Sequence, residues 1–240
     1  KRCNKIWGAQ RISDELKLMG IKVSKKTVLK ILRENGFVPP RVRFEPPSWK
    51  ALFHAYSRYW SMDFTTVFDL MGLQLFIFVI IEVPSRKFIT ISVTTNPDQE
   101  WLIQQFRNCS IGGHSFPEAM VHDRDGIYGK WLPDILTEFE MKSIKTRSRC
   151  PWQNAYVERF NLSIKNEMLN RLIVVNSSHA RDLCASYEIH YNRIRPHPGI
   201  DGKIPDSEAK KPVTRLDFDC LRVEKRSEMC GLQTHFSLAT

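Results

Sequence analysis

From Tyr59 to Thr95 the chain changes character, because β-branched and aromatic residues take over from the mixed, basic segment before them. Such residues fit a pleated, half-buried surface, so strands are expected at about Tyr59–Thr65, Leu73–Val83 and Phe88–Thr94. Pro84–Lys87 forms the turn between the last two, and three strands in succession suggest a meander. The pattern then alternates: a helix at Gln99–Arg107, a short buried strand at Ala119–His122, a helix at Trp131–Phe139, a strand at Ser143–Lys145 and a long helix at Gln153–Leu169. That order predicts an α/β fold, a mixed five-stranded sheet with helices on its faces.

The longest apolar run, Leu73–Ile81 with Gln74 inside it, is far short of the roughly 20 residues of a membrane helix, and no membrane span is expected. The 240 residues, 42% of them hydrophobic, leave room for one substantial core and a smaller appendage. Six cysteines stand far apart with no C-x-x-C pair. Reduced thiols are therefore expected rather than a disulfide framework or zinc site. The chain starts Lys1–Arg2–Cys3–Asn4, with neither Met nor a signal-peptide stretch, and reads as a fragment from the cytoplasm.

Ahead of the sheet, Ile12 and Leu16 give a first helix at about Ala9–Leu18, stopped by Gly20. Ser24 caps a second, Lys25–Glu34, with Val28, Leu29, Ile31 and Leu32 as its apolar face and Gly36 after its end. Two such helices suit a helix-turn-helix that binds DNA, although any αα-hairpin has the same pattern. The resulting division is 1–37 helix-turn-helix-like, 38–55 a Pro-rich linker, 56–210 the α/β core and 211–240 a basic C-terminal extension.

The net charge of +10 is unevenly spread. Residues 1–58 carry +10, residues 59–141 carry −6 and residues 142–240 carry +6. Basic flanks suit a polyanion, because each neutralised phosphate releases a counterion, though a solvated basic surface has the same composition. Within the acidic middle, Asp63 falls inside the apolar strand Trp60–Phe64, where an ionised group is costly unless it is compensated. Asp123 ends a strand, a position where open α/β sheets place ligands. Glu158 lies on the long helix with Asn154, Asn161 and Lys165 at i−4, i+3 and i+7 on the same side. Three hard oxygen donors that converge suit phosphoryl transfer assisted by two Mg²⁺ ions. Each acid alone has an ordinary alternative: a strand-end hydrogen bond, a turn before Gly126, and an exposed partner of Arg159 or Lys165.

The blocks Trp60–Ser61–Met62–Asp63–Phe64–Thr65, His122–Asp123–Arg124–Asp125–Gly126–Ile127–Tyr128–Gly129 and Pro151–Trp152–Gln153–Asn154–Ala155–Tyr156–Val157–Glu158–Arg159–Phe160 resemble the three catalytic blocks of bacterial insertion-sequence transposases with a retroviral-integrase-type core. Between the acids lie 59 and then 34 residues, close to the long-then-short separation of that family's Asp, Asp, Glu triad. Tyr191–Ile200 is similar to the segment that closes the core, and Trp7–Ile12 with Val23–Val28 to the helical DNA-binding segment ahead of it.

The resemblance implies a ribonuclease-H-like fold and a metal-dependent transposase that cleaves at mobile-element ends and transfers strands into target DNA. It implies Mg²⁺, with Mn²⁺ as substitute and two ions held by Asp63, Asp123 and Glu158. Lys165 would contact a phosphate, and Asn154 would orient the active-site helix or the DNA. Lys25, Lys26, Lys30 and Arg33 would contact element-end DNA, while Lys142, Lys145, Arg147 and Arg149 would form a basic loop over the site. A homo-oligomer on DNA, in the bacterial cytoplasm at the nucleoid, follows. Asp125 takes the place of a common Gly and is a rival to Asp123, and Tyr128, in the family register, favours Asp123. A remnant that binds without cutting, and a ribonuclease-H-like nuclease, are the alternatives.

Overall fold

In the computed structural model, residues 4, 7–37, 56–146, 154–206, 222–228 and 231–239 are described. The chain divides into two compact units, Glu45–Glu188 and Lys1–Phe44 with Ile189–Thr240. The linker expected at 38–55 lies outside the described residues. None of the described helices is long and apolar enough to cross a membrane.

The unit Glu45–Glu188 is built on five strands: β1 (Tyr59–Phe68), β2 (Gln74–Glu82), β3 (Lys87–Thr94), β4 (Ala119–His122) and β5 (Lys142–Lys145), in the order β3-β2-β1-β4-β5. The meander is antiparallel, and β4 and β5 add in parallel. β1 outruns its expected end because Thr66–Phe68 still pair with Phe76–Gln74. Ile77 to Ile81 of β2 are buried without exception, so the central strands are covered on both faces.

One cover is α3 (Gln99–Ile111) with α4 (Leu132–Glu138), whose Leu102, Phe106, Leu132 and Leu136 join Trp60, Met62, Phe78 and Ile80 in one core. Asp98 caps α3 by accepting the Trp101 N–H at 2.8 Å. Elsewhere in the unit, the Phe88 and Phe160 rings meet edge to face at 4.0 Å, with Tyr187 6.0 Å from Phe160. Phe160 belongs to α5 (Ala155–Glu167), and Tyr187 to α6 (Ser177–Arg193), whose residues up to Glu188 belong here. The sequence reading contained no α6. Its buried positions, Ala180, Leu183, Cys184 and Tyr187, keep helical spacing but include few strongly apolar residues. Cys109 and Cys184 are free, buried thiols, each pushed up to about 12 by burial and by the Glu188 charge.

In the other unit, α1 (Ala9–Leu18) and α2 (Lys25–Glu34) pack through Ala9, Val28 and Leu32, and Ser24 accepts the Thr27 N–H at 3.1 Å. α1 also buries Arg11, Ser13, Asp14 and Glu15, which an amphipathic reading leaves in water. Arg11 lies 4.5 Å over the Trp7 ring and bonds His190 at 3.2 Å. Asn4 exchanges two bonds with the Thr234 backbone, at 2.6 and 3.1 Å. These contacts join the N-terminal helices to residues 190–206 and to the hairpin of β6 (Arg222–Glu228) and β7 (Gln233–Ala239).

Gly202 has φ +73°, and a Cβ there would stand 2.7 Å from Asp14 Oδ1, so glycine suits both the left-handed turn and the Asp14 side chain packed against it. Asp14 accepts from Gln10 at 3.0 Å, its second oxygen is buried without a partner, and burial raises its pKa. A carboxyl raised in the folded state contributes stability below its ordinary value and loses it as pH rises through the folded value. Asp14→Asn should therefore stabilise the protein by about 1–3 kcal/mol at pH 7.5. The gain in urea midpoint should shrink as pH falls toward 4, and a gain independent of pH would refute this account.

Candidate active site

The parallel pairing of β1 with β4 ends at Ser61 opposite Val121. Two residues further along each chain stand Asp63 and Asp123. A strand repeats its facing every two residues, so this register sends both carboxylates to the same side at the carboxyl end of β4. Asp63 Oδ1 accepts its neighbour's N–H, from Phe64, at 2.9 Å, and Oδ2 accepts from Asn161 Nδ2 at 2.7 Å. Asp123 Oδ1 accepts the Asp125 N–H at 3.0 Å.

The loop carrying Asp123 is held from below. His122 is buried, its Nδ1 2.8 Å from the Asp123 carbonyl and its Nε2 2.9 Å from Ser143 Oγ. A carbonyl only accepts, so Nδ1 carries the proton and Nε2 receives the serine's. Burial lowers the His122 pKa to about 4, which keeps the ring neutral. Arg124 Nε donates to the Thr146 carbonyl at 2.8 Å and ties the loop to the end of β5.

Glu158 stands in the first turn of α5. That helix is fastened to β1 by Asn154, 3% exposed, whose Oδ1 accepts from Ser61 Oγ and whose Nδ2 donates to the Met62 carbonyl at 3.3 Å. One turn beyond Glu158, Asn161 fastens the same helix to Asp63. Two amides thus set the helix that bears one acid against the strand that bears another. Asn154→Ala leaves Ser61 and Met62 with buried unpaired groups and should cost about 1–3 kcal/mol. The urea midpoint of unfolding measures this, and no shift would show the tether to be idle.

Burial raises the Asp63 pKa to about 7, aided by the negative charge of Asp123 and then of Glu158. Glu158 is raised by burial and by Asp123. Asp123 is raised by burial and by Asp125, while Lys145 acts in the opposite direction. Beneath them the Tyr128 ring is buried and its hydroxyl has no partner. The three acids share one field, and carboxylates that raise one another lack compensating positive charge. Hard oxygen donors of this kind suit a divalent cation of the Mg²⁺ class. Among the described residues, no three His, Cys, Asp or Glu side chains already stand in the geometry that holds a metal ion.

With this geometry in hand, the resemblances are informative. Residues 140–205 match the integrase core domain family. The chain is 27% identical over 152 residues to an insertion element IS476 protein of Xanthomonas euvesicatoria, covering 62% of this chain and 43% of that one. It is 25% identical over 217 residues to the transposase for IS904 of Lactococcus lactis, covering 83% and 85% of the two chains. It is 26% identical over 228 residues to transposase InsF for IS3A of Escherichia coli, covering 88% and 79%. These relatives are insertion-sequence transposases and insertion-element proteins, and the chain is similar to them along most of its length. It spans less than half the length of the first of these relatives and about four fifths of the others. In fold it resembles a chain of the simian T-cell lymphotropic virus intasome, with TM-score 0.53 at 13% identity, covering 91% of this chain and 80% of that one. The sheet is ribonuclease-H-like.

Within the unit Glu45–Glu188, Asp125 caps the short turn Gly126–Tyr128 by accepting the Ile127 N–H at 3.1 Å. Lys165 is half-buried on α5, two turns past Glu158. Both ends of the Asn154 amide are engaged inside the protein, where they hold the start of the helix against β1. The basic loop expected at Lys142 and Lys145 is instead strand β5. Lys145 pairs with His122 beside the site, but Lys142 pairs with Ala119 at the strand's other end, about 10 Å along at 3.3 Å per residue. Arg147 and Arg149 lie outside the described residues. Lys25, Lys26, Lys30 and Arg33 are exposed on α2, with Lys30 3.9 Å from Glu34. Helical spacing puts Asn161 on the Glu158 side of the helix but does not show its partner. Only the β1 register shows what it bonds.

Proposed function

We propose that this chain is a transposase that cleaves phosphodiesters at the ends of a mobile element and joins the freed 3′-hydroxyl to target DNA, with no covalent protein–DNA intermediate. The observation that carries the proposal is the shared field of Asp63, Asp123 and Glu158, with the first and last set against each other by two buried amides. Asp63, Asp123 and Glu158 would hold two divalent ions, Mg²⁺ or in its place Mn²⁺, which when bound polarise the phosphodiester and neutralise charge that develops on its oxygens.

The protein's own part is placement. Asn161 fixes the rotation of the Asp63 carboxylate, and Asn154 fixes the depth of the helix that presents Glu158. Lys165 and Lys145 supply point charges that attract the phosphates of the reacting end toward an otherwise anionic centre. Lys25, Lys26, Lys30 and Arg33, and separately Arg147 and Arg149, would contact the phosphates of element-end and target DNA. Two ends must be joined, so the working form is a homo-oligomer on DNA, at the nucleoid in the bacterial cytoplasm.

The test uses the 240-residue chain, Mg²⁺, a labelled duplex from the element end and a target plasmid. Strand joining supports the proposal. Cleavage of any duplex or hybrid without joining would indicate a nuclease, and binding with neither would indicate an inactive remnant.

A further inference from the structure

Beside the three acids stands a buried hydroxyl to which the proposed chemistry gives no task. Tyr128 is 2% exposed, and its oxygen is enclosed with no hydrogen-bond partner among the described residues. An enclosed O–H that bonds nothing forfeits the hydrogen bonds it has in water. A phenylalanine would fill the same space without that loss, so packing does not account for the oxygen.

The ring is fixed from both sides. It meets the His122 ring edge to face at 5.7 Å and the Phe64 ring at a tilt, also at 5.7 Å. His122 directly precedes Asp123 and Phe64 directly follows Asp63, so the tyrosine is wedged between the immediate neighbours of two of the acids. The turn that carries it is closed by the Tyr128 N–H donating to the Asp125 carbonyl at 3.3 Å and the Gly129 N–H donating to the Gly126 carbonyl at 3.0 Å. Gly129 takes φ +62°, with the Trp131 indole packed where a Cβ would stand. With the backbone locked and the ring packed on both faces, a partner has to come to the hydroxyl.

We propose that Tyr128 is a positioning residue of the divalent-ion site, its hydroxyl donating to the Asp63–Asp123 carboxylate pair in the arrangement the two take around a cation. This rests on the reading of the three acids as ion ligands. Without a cation, Asp63 and Asp123 oppose each other, and their oxygens accept from other donors: Asp63 from Phe64 and Asn161, Asp123 from the Asp125 N–H. Among the described residues no three acids stand gathered for an ion. Burial holds the Tyr128 hydroxyl well above its ordinary value and the negative charges of Asp63, Asp123 and Asp125 push it further, so it stays protonated, a donor within their field.

A cation cancels the repulsion between the two carboxylates and lets them converge. Donors behind liganding carboxylates fix their rotation, and removing one typically costs about 10–100-fold in affinity. Tyr128 has no bond to give up in making this one, so its hydrogen bond favours the ion-loaded state alone.

Tyr128→Phe in the full chain tests this, with Mn²⁺ as the probe and the free ion counted by its electron paramagnetic resonance signal. Without divalent ions the variant should melt about 2–4 °C above the wild type, having lost an unpaired buried hydroxyl and no packing. Its dissociation constant for Mn²⁺ should be at least about 10-fold higher than that of the wild type. Weaker binding at an equal or higher midpoint supports the proposal, because the substitution then acts on the ion site and leaves the fold sound. Affinity that is not lowered would make Tyr128 an ordinary core residue and overturn the proposal while leaving the role of the acids intact. A variant that loses both midpoint and affinity would show a packing role and overturn it as well. A wild type that binds no Mn²⁺ would overturn the reading of the acids as ion ligands, and the assignment of Tyr128 with it.

Discussion

Asp63→Asn, Asp123→Asn and Glu158→Gln should each lower strand joining by at least about 1,000-fold, equivalent to about 4 kcal/mol of transition-state stabilisation. Each substitution keeps the side chain's size and removes the charge, so the fold and the basic surfaces that bind DNA remain. Element-end binding should change less than about threefold. In the absence of divalent ions the Asp63→Asn protein should melt at a higher temperature than the wild type. The substitution relieves a buried carboxylate that two neighbouring negative charges oppose; the new amide keeps its oxygen for the Phe64 N–H, and its NH₂ donates to Asn161 Oδ1, otherwise without a partner, once the Asn161 amide turns.

Divalent ions should reverse the order. Mg²⁺ or Mn²⁺ should raise the wild-type midpoint and leave the variants nearly unmoved, because a ligand stabilises only the state that binds it. Asp125→Asn is the informative control. Its carboxylate caps the turn after Asp123, and an asparagine oxygen can accept the same N–H, so joining should fall less than about tenfold with stability nearly unchanged. Joining that survives in the three triad variants would remove the assignment, and loss confined to Asp125→Asn would transfer it to that residue.

Phe160→Ala should destabilise the unit Glu45–Glu188 by about 3–5 kcal/mol, the usual cost of deleting a buried aromatic ring. Total stabilities are about 5–15 kcal/mol, so this is a large share. Phe160 is 2% exposed and meets Phe88 of β3 edge to face at 4.0 Å, with Tyr187 at 6.0 Å. Its ring carries the contact of α5 with the sheet, two residues from Glu158. Phe160→Leu fills most of the space and should cost roughly half as much. The urea midpoint of each variant measures the difference. A loss under about 1 kcal/mol for the alanine would mean that Asn154 and Asn161 seat the helix without the ring.

The five strands and the helices that cover them were legible because β-branched and aromatic runs alternate with helical periods. β1, β2, β3 and β5 differ from expectation by only one to three residues at their ends. α6 was not legible, since its buried face, Ala180, Leu183, Cys184 and Tyr187, holds a single strongly apolar residue among polar neighbours. Nor was the burial of Arg11, because its partner, His190, stands 179 residues away in the sequence. Lys142 and Lys145 show the limit of reading charge by proximity in sequence. A strand carries two neighbours of the same charge to opposite ends of a sheet.

By itself the sequence determined the alternation of strands and helices, the uneven charge, and the three acids with their long and short separations. Those depend on residue type and local order, which the chain carries along its length. Tertiary structure alone decided that Asp63 and Asp123 come level, through a parallel register that ends two residues before each. It decided that Asn154 and Asn161 face inward to β1 while Asp125 turns back to its own backbone. The physical reason is that a side chain's task depends on which donor or charge lies within a few ångströms. Across 98 residues, as between Asn161 and Asp63, only the folded sheet brings the two together.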